Sequence, residues 1–222
     1  MNVLVIAPHA DDETLGCGGL IARRAAAGAW VHVAVLGLAG VRARGDASGA
    51  PTQVEVRGRE LKRACDLLGV QQVTALYPEQ AMRMDTVPLV EVVTALDGLL
   101  DEREYDEVYL PYASVNHDHQ VAYRAMLAAL RPALGRKPVP LVAAYEYAMI
   151  GWQPEAVPGG KWYVDIGETL DIKLAALQAY ATQVRPYPHP CSPEAVLALA
   201  RFRGMEAGVG AAELFYLLRK IE

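Results

Sequence analysis

The run Val3-Leu4-Val5-Ile6-Ala7 is short, rich in β-branched residues and free of polar alternation. That is the pattern of a strand covered on both faces. Strands buried this way belong to parallel sheets, whose connections are helical crossovers and whose ligands gather at the carboxyl ends of the strands. The run feeds directly into Pro8-His9-Ala10-Asp11-Asp12-Glu13, after which Thr14-Leu15-Gly16-Cys17-Gly18-Gly19 opens a helical segment. His9, Asp11, Asp12 and Glu13, all able to bind a metal or move a proton, therefore stand where an α/β fold places its chemistry.

The rest of the chain alternates in the same way. Residues 14–28 read as a helix ended by Gly28, residues 30–38 as a strand, and residues 40–51 as an aperiodic loop that could act as a lid. A helix over 52–68 places Arg57, Glu60, Ala64 and Leu68 on one side, and Gly69 ends it. A strand over 72–77, a helix over 86–100 with Pro88 in its first turn, and a strand over 106–112 follow. This last strand runs into Ser114-Val115-Asn116-His117-Asp118-His119, a second polar cluster, and then into an Ala-rich helix over 120–130. Strands over 141–147 and 162–166 flank a Pro/Gly-rich connector, and helices are expected over 168–182, 193–203 and 211–220. The order predicts one α/β domain over residues 1–222, a right-handed, doubly wound, mostly parallel sheet with helices on both faces. Strand ends that flank the switch point of such a sheet share one crevice, so the clusters at 8–13 and 111–119 are expected to meet.

Composition narrows the function. A net charge of −5 gives no basic face for a nucleic-acid backbone. The cysteines Cys17, Cys65 and Cys191 are odd in number and widely spaced, which speaks for a reducing, cytoplasmic setting and against a disulfide framework or thiolate site. The apolar opening has no cationic leader and is far shorter than the ~20 residues of a bilayer span, so neither a signal peptide nor a membrane span is expected.

His9, Asp12 and His119 would supply two imidazoles and a carboxylate, the ligand set of catalytic zinc sites that leave a position open for water. Asp11 could then serve as general base while its neighbour binds the ion. The plainer reading of Asp11, Asp12 and Glu13 is a capped helix N-terminus, where a cap contributes roughly 0.5–2 kcal/mol and a favourable charge 0.3–1 kcal/mol. It leaves His9 unexplained. His117 and His119 on their own would read as surface or capping histidines. Gly16-x-Gly18-Gly19 lacks the spacing of a dinucleotide fingerprint, and two aspartates ahead of the helix would repel a pyrophosphate.

Pro8-His9-Ala10-Asp11-Asp12-Glu13 resembles the Pro-His-Pro-Asp-Asp-Glu signature of the PIG-L/LmbE-like zinc-dependent N-deacetylases, and Asn116-His117-Asp118-His119 resembles their second motif. Arg57-x-x-Glu60, Leu68-Gly69, Asp165-Ile166-x-Glu168-Thr169, Tyr187-Pro188-His189-Pro190 and the stretch from Arg203-Gly204 to Glu213-x-Phe215 extend the likeness over nearly the whole chain. The resemblance implies a Rossmann-like fold and one Zn2+ per chain on His9, Asp12 and His119. It also implies Asp11 as the base acting on metal-bound water, and Asp118 as a carboxylate that orients a ligand ring. The implied substrate is a small N-acetylated sugar or glycoconjugate that is cleaved to acetate and an amine. Family members are often trimers or hexamers, so a homo-oligomer is expected.

Three departures stand out. Ala10 replaces the usual proline, Asn116 stands where many members have histidine, and Ser114 where members with that asparagine often carry an acid. Asn116 can stabilise an oxyanion but cannot act as an imidazolium acid, so His117 or His189 is a candidate for that role, although the preferred reading of His189 is a proline-locked turn packed on Tyr187. Arg57 and Glu146 are candidate substrate contacts, and Arg57 is equally suited to pair with Glu60 in its own helix. Tyr77, Trp152, Trp162 and Tyr187 suit either sugar stacking or packing. The rivals are an amidase acting on a thiol-glycoside conjugate and a non-catalytic glycan- or nucleotide-sugar-binding module.

Overall fold

A computed structural model describes residues 1–40, 54–147 and 159–222. The expected loop over 40–51, apart from Gly40, and Trp152 lie outside these described residues. Strands β1 (Asn2–His9), β2 (Trp30–Gly37), β3 (Gln72–Ala75), β4 (Glu107–Pro111), β5 (Leu141–Tyr145), β6 (Gly160–Asp165) and β7 (Ala212–Lys220) form one sheet in the order β3-β2-β1-β4-β5-β7-β6. The helices are α1 (Asp12–Ala26), α2 (Val54–Leu68), α3 (Leu89–Glu102), α4 (His117–Ala129), α5 (Leu170–Gln178) and α6 (Pro193–Ala207). β1 through β5 run parallel, as the doubly covered strands require, and β7 lies antiparallel between β5 and β6.

Period-two alternation along β1 divides the core. Val3, Val5 and Ala7 pack with Cys17, Leu20 and Ile21 of α1, Leu61 and Ala64 of α2 and Ala176 of α5. Leu4 and Ile6 face the other way, against Leu96 and Leu99 of α3 and Ala122 and Met126 of α4. The chain leaves β1 for β2 and β3 on one side and adds β4 and β5 on the other. The β1/β4 boundary is therefore the switch point, and both polar clusters emerge there. Among the described residues no helix is long and apolar enough to cross a membrane.

One element differs from the sequence reading. The segment expected as a final helix over 211–220 is strand β7. Its first five residues, Ala212 to Tyr216, are buried on both sides between β5 and β6, so no polar alternation marks them, and a short apolar run without alternation suits a helix as well as a central strand. Glu213 adds to the ambiguity. Its carboxylate is buried but satisfied, accepting the backbone N–H groups of Gly19 and Leu20, each at 2.8 Å, and pairing with Lys173 at 2.6 Å.

The glycines of α1 serve packing. A Cβ at Gly16 would collide with the ring of Tyr145, and one at Gly19 would come within 2.5 Å of Ile166. Gly16→Ala should therefore lower the urea midpoint, overpacking costing about 1–3 kcal/mol against a helix-propensity gain of roughly 0.5–1 kcal/mol; a raised midpoint would show that Tyr145 yields freely.

Candidate metal centre

The turn from β1 into α1 brings three neighbouring carboxyl side chains into different settings. Asp11 sits at φ 139°, a strained region for a residue with a Cβ, and its carbonyl accepts the N–H groups of Thr14 (3.1 Å) and Leu15 (2.8 Å) to start the helix. Asp12 turns back, its Oδ2 accepting the backbone N–H of His9 at 2.9 Å. Glu13 is buried and accepts the Asp11 N–H at 3.1 Å, the Thr14 hydroxyl at 2.6 Å and the Tyr180 hydroxyl.

His9 Nδ1 and His119 Nε2 both converge on Asp12 Oδ2, at 3.2 and 3.3 Å. One ligand atom from each of His9, Asp12 and His119 lies within 4.8 Å of the others. The far nitrogen of His9, Nε2, is 2.9 Å from Asp118 Oδ2, and Asp118 is itself fixed by the backbone N–H groups of Met82 (2.6 Å) and Met84 (3.0 Å). Two imidazoles and a carboxylate aimed at one point, with a second carboxylate behind one ring, fit a divalent cation.

The charges follow from this crowding. Burial opposes the charged form of His9, but its bonds to Asp118 and Asp12 and their charges outweigh it and raise the imidazole to about 10. Burial would raise Asp12, yet His119 and His9 hold it well below the usual carboxylate range. Asp118 is likewise lowered, burial being outweighed by the bond to His9. Asp11 has no such partner, and burial raises it to about 7 against the pull of Arg57.

The other candidate residues are spread more widely. Arg57 is buried; its Nη2 donates to the Ala10 carbonyl and lies 4.0 Å from Asp11 Oδ2, and its Nη1 donates to Glu60 at 3.1 Å. It thus takes the pairing within its helix and also clamps the strained turn, instead of reaching outward. Glu146 is buried and paired with Arg203 through two hydrogen bonds, so its carboxylate is engaged within the protein. Asn116 caps α4, its side-chain oxygen accepting the Asp118 N–H at 2.9 Å. His117 is exposed and lines a groove with Asp85, Pro88, Gln120 and Arg124. His189 is exposed, its Nδ1 accepting the Cys191 N–H at 3.1 Å, and among the described residues it has no ring contact with Tyr187. Trp162 is a packing residue against Tyr109 and Phe215, and Tyr187 is 67% exposed.

Two aromatic residues at the site belong to neither polar cluster of the sequence. Tyr180 closes over Glu13, and Tyr147 lies against His119 with ring centroids 4.7 Å apart. Tyr147 follows the carboxyl end of β5, the strand next to β4, on the side of the sheet where α/β folds gather their ligands.

The sequence profile of the PIG-L family, described as GlcNAc-PI de-N-acetylase, matches residues 4–130, which take in β1 from Leu4 onward, all of β4 and every residue of the cluster. The chain belongs to the PIG-L family. It is 28% identical over 189 residues to a Bacillus cereus protein named probable N-acetyl-alpha-D-glucosaminyl L-malate deacetylase 2, covering 82% of this chain and 83% of that one. N,N'-diacetylchitobiose deacetylase from Pyrococcus horikoshii superposes with a TM-score of 0.74 at 22% identity, over 98% of this chain and 83% of that one. GalB, the 4-carboxy-2-hydroxymuconate hydratase of Pseudomonas putida KT2440, superposes at 0.73 and 22% identity over 100% and 97%. At such identity these likenesses show the fold alone, and the PIG-L assignment rests on the profile.

Arg57→Ala should destabilise the protein by about 3–5 kcal/mol, because it strands the buried Glu60 carboxylate and frees the Ala10 carbonyl. Chemical denaturation checks this. A loss below 1 kcal/mol would show that the clamp bears little load.

Proposed function

We propose that this PIG-L family member is a zinc-dependent hydrolase that removes the N-acetyl group from an N-acetylated sugar or sugar conjugate. The observation that carries the reading is the convergence of His9, Asp12 and His119 with Asp11 beside them, in a chain whose family and Bacillus cereus relative are named for de-N-acetylation. His9, Asp12 and His119 would hold the ion. A zinc ion bound there would polarise the acetamido carbonyl and acidify the attacking water.

The chain's own residues move the protons. Asp11 takes a proton from water as the new C–O bond forms, and returns it to the amine nitrogen as the C–N bond breaks, giving acetate and a free amine. Its high proton affinity, set by burial, suits both transfers. His117 and His189 make no hydrogen bond or ring contact with Asp11, His9, Asp12 or His119 among the described residues, so one carboxylate in both roles is the economical assignment. Arg57 holds the Ala10 carbonyl and faces the Asp11 carboxylate, keeping the base aimed. Asp118 orients His9 through Nε2 and leaves Nδ1 for the ion.

Protein purified without chelator should contain about one zinc per chain and release acetate from one class within a panel of free, nucleotide-linked and acid-linked N-acetylhexosamines. An active, metal-free preparation would sink the mechanism, and turnover confined to other acylated glycosides would favour the related amidase. Asp11→Asn should keep the metal while kcat falls by about 10²–10⁴; unchanged turnover removes Asp11 as the base.

A further inference from the structure

The two histidines of the cluster are held in different ways. His9 has a carboxylate on its far nitrogen, the usual device for fixing the ring of a metal-binding histidine. His119 does not. Its Nε2 faces Asp12, and its Nδ1 is buried without a hydrogen-bond partner among the described residues. Without a bond at Nδ1, the ring is held by its Nε2 contact to Asp12 and by packing, and ligand basicity gains nothing from a second carboxylate.

One group is placed to supply the packing. The ring of Tyr147 lies against the imidazole at a centroid distance of 4.7 Å and an interplanar angle of 34°. The His9 ring is farther, at 5.6 Å, and is itself one of the converging donors. Tyr147 is in turn anchored at its tip, its hydroxyl donating to Ser114 Oγ at 2.9 Å. That same oxygen accepts the Asn116 N–H at 3.2 Å, and the Ser114 carbonyl accepts from Gln120 at 3.0 Å. The anchor therefore belongs to the entry of α4, the element that carries His119. Tyr147 and His119 come from adjacent strand ends yet are tied to one frame.

We propose that Tyr147 is a positioning residue of His119: its ring, tied to the entry of α4 through Ser114, fixes the side of the imidazole that carries Nδ1 and that no hydrogen bond among the described residues holds. This rests on His119 being a metal ligand. The tilted ring contact opposes rotation of the imidazole toward Tyr147, and the buried surroundings of Nδ1 oppose the rest, so Nε2 stays aimed at the Asp12 carboxylate. A ring without the hydroxyl preserves most of the effect, whereas a branched aliphatic residue does not.

The test is Zn2+ affinity by chelator competition in the wild type, Tyr147→Phe and Tyr147→Leu, with the absorption spectrum of the Co2+-substituted proteins as a second readout. Tyr147→Phe should bind Zn2+ within about threefold of the wild type, and Tyr147→Leu should bind it at least tenfold more weakly with an altered cobalt spectrum, the scale on which supporting residues act at metal sites. A folded Tyr147→Leu that holds Zn2+ as tightly as the wild type overturns the proposal, and so does an equal loss in both variants. If the leucine variant does not fold, the zinc-loaded wild type still decides: the imidazole C–H protons of His119 should show an upfield ring-current shift by NMR, and its absence overturns the proposal. A wild type that binds no Zn2+ refutes the ligand assignment itself.

Discussion

A single carboxylate oxygen joins the two halves of the site. Asp12 Oδ2 receives the backbone N–H of His9 and faces ring nitrogens of both His9 and His119, so it ties the end of β1, the start of α1 and the start of α4 together. The geometry depends on β1 and β4 being neighbours in the sheet, which puts two turns separated by about a hundred residues of sequence side by side. It depends equally on the strained conformation of Asp11, which sends Asp11 and Asp12 in different directions from consecutive positions.

Buried polar contacts hold this arrangement from behind. Arg57 and Glu60 link α2 to the β1–α1 turn and, through Thr182, to the segment after α5. Lys173 and Glu213 enter the middle of α1, where Glu213 takes the N–H groups of Gly19 and Leu20 and Lys173 takes the Leu15 carbonyl. Glu146 and Arg203 tie the end of β5 to α6. Removing one member of such a pair is costly because the other is left charged and dry. Together they fix the register of α1, whose first turn carries Asp12 and Glu13, against the sheet.

The supports of the two imidazoles show how one centre uses unlike means. His9 is oriented by a directional bond to Asp118, which backbone N–H groups at Met82 and Met84 hold in turn. His119 Nδ1 has no hydrogen-bond partner among the described residues, and the ring of Tyr147 lies against its imidazole. Both kinds of support arise from this chain's own packing.

Much was determined by sequence alone. The hydrophobic run of β1, the strand–helix alternation and the two polar clusters at strand ends specify a doubly wound sheet and predict that residues 9, 12 and 119 meet, because burial and connection rules leave few other topologies. The period of the last segment was not legible: a strand inserted between two others is buried on both faces and loses its alternation, so β7 reads as a helix until its neighbours are known. The uses of Arg57 and Glu146 were also decided only by tertiary structure, since an exposed ligand-binding charge and a buried paired one look alike in sequence. Tyr147 is the clearest case. Its part at the site comes from a ring contact with a residue 28 positions away and a hydroxyl bond to Ser114, distances that exist only once β4 and β5 lie side by side.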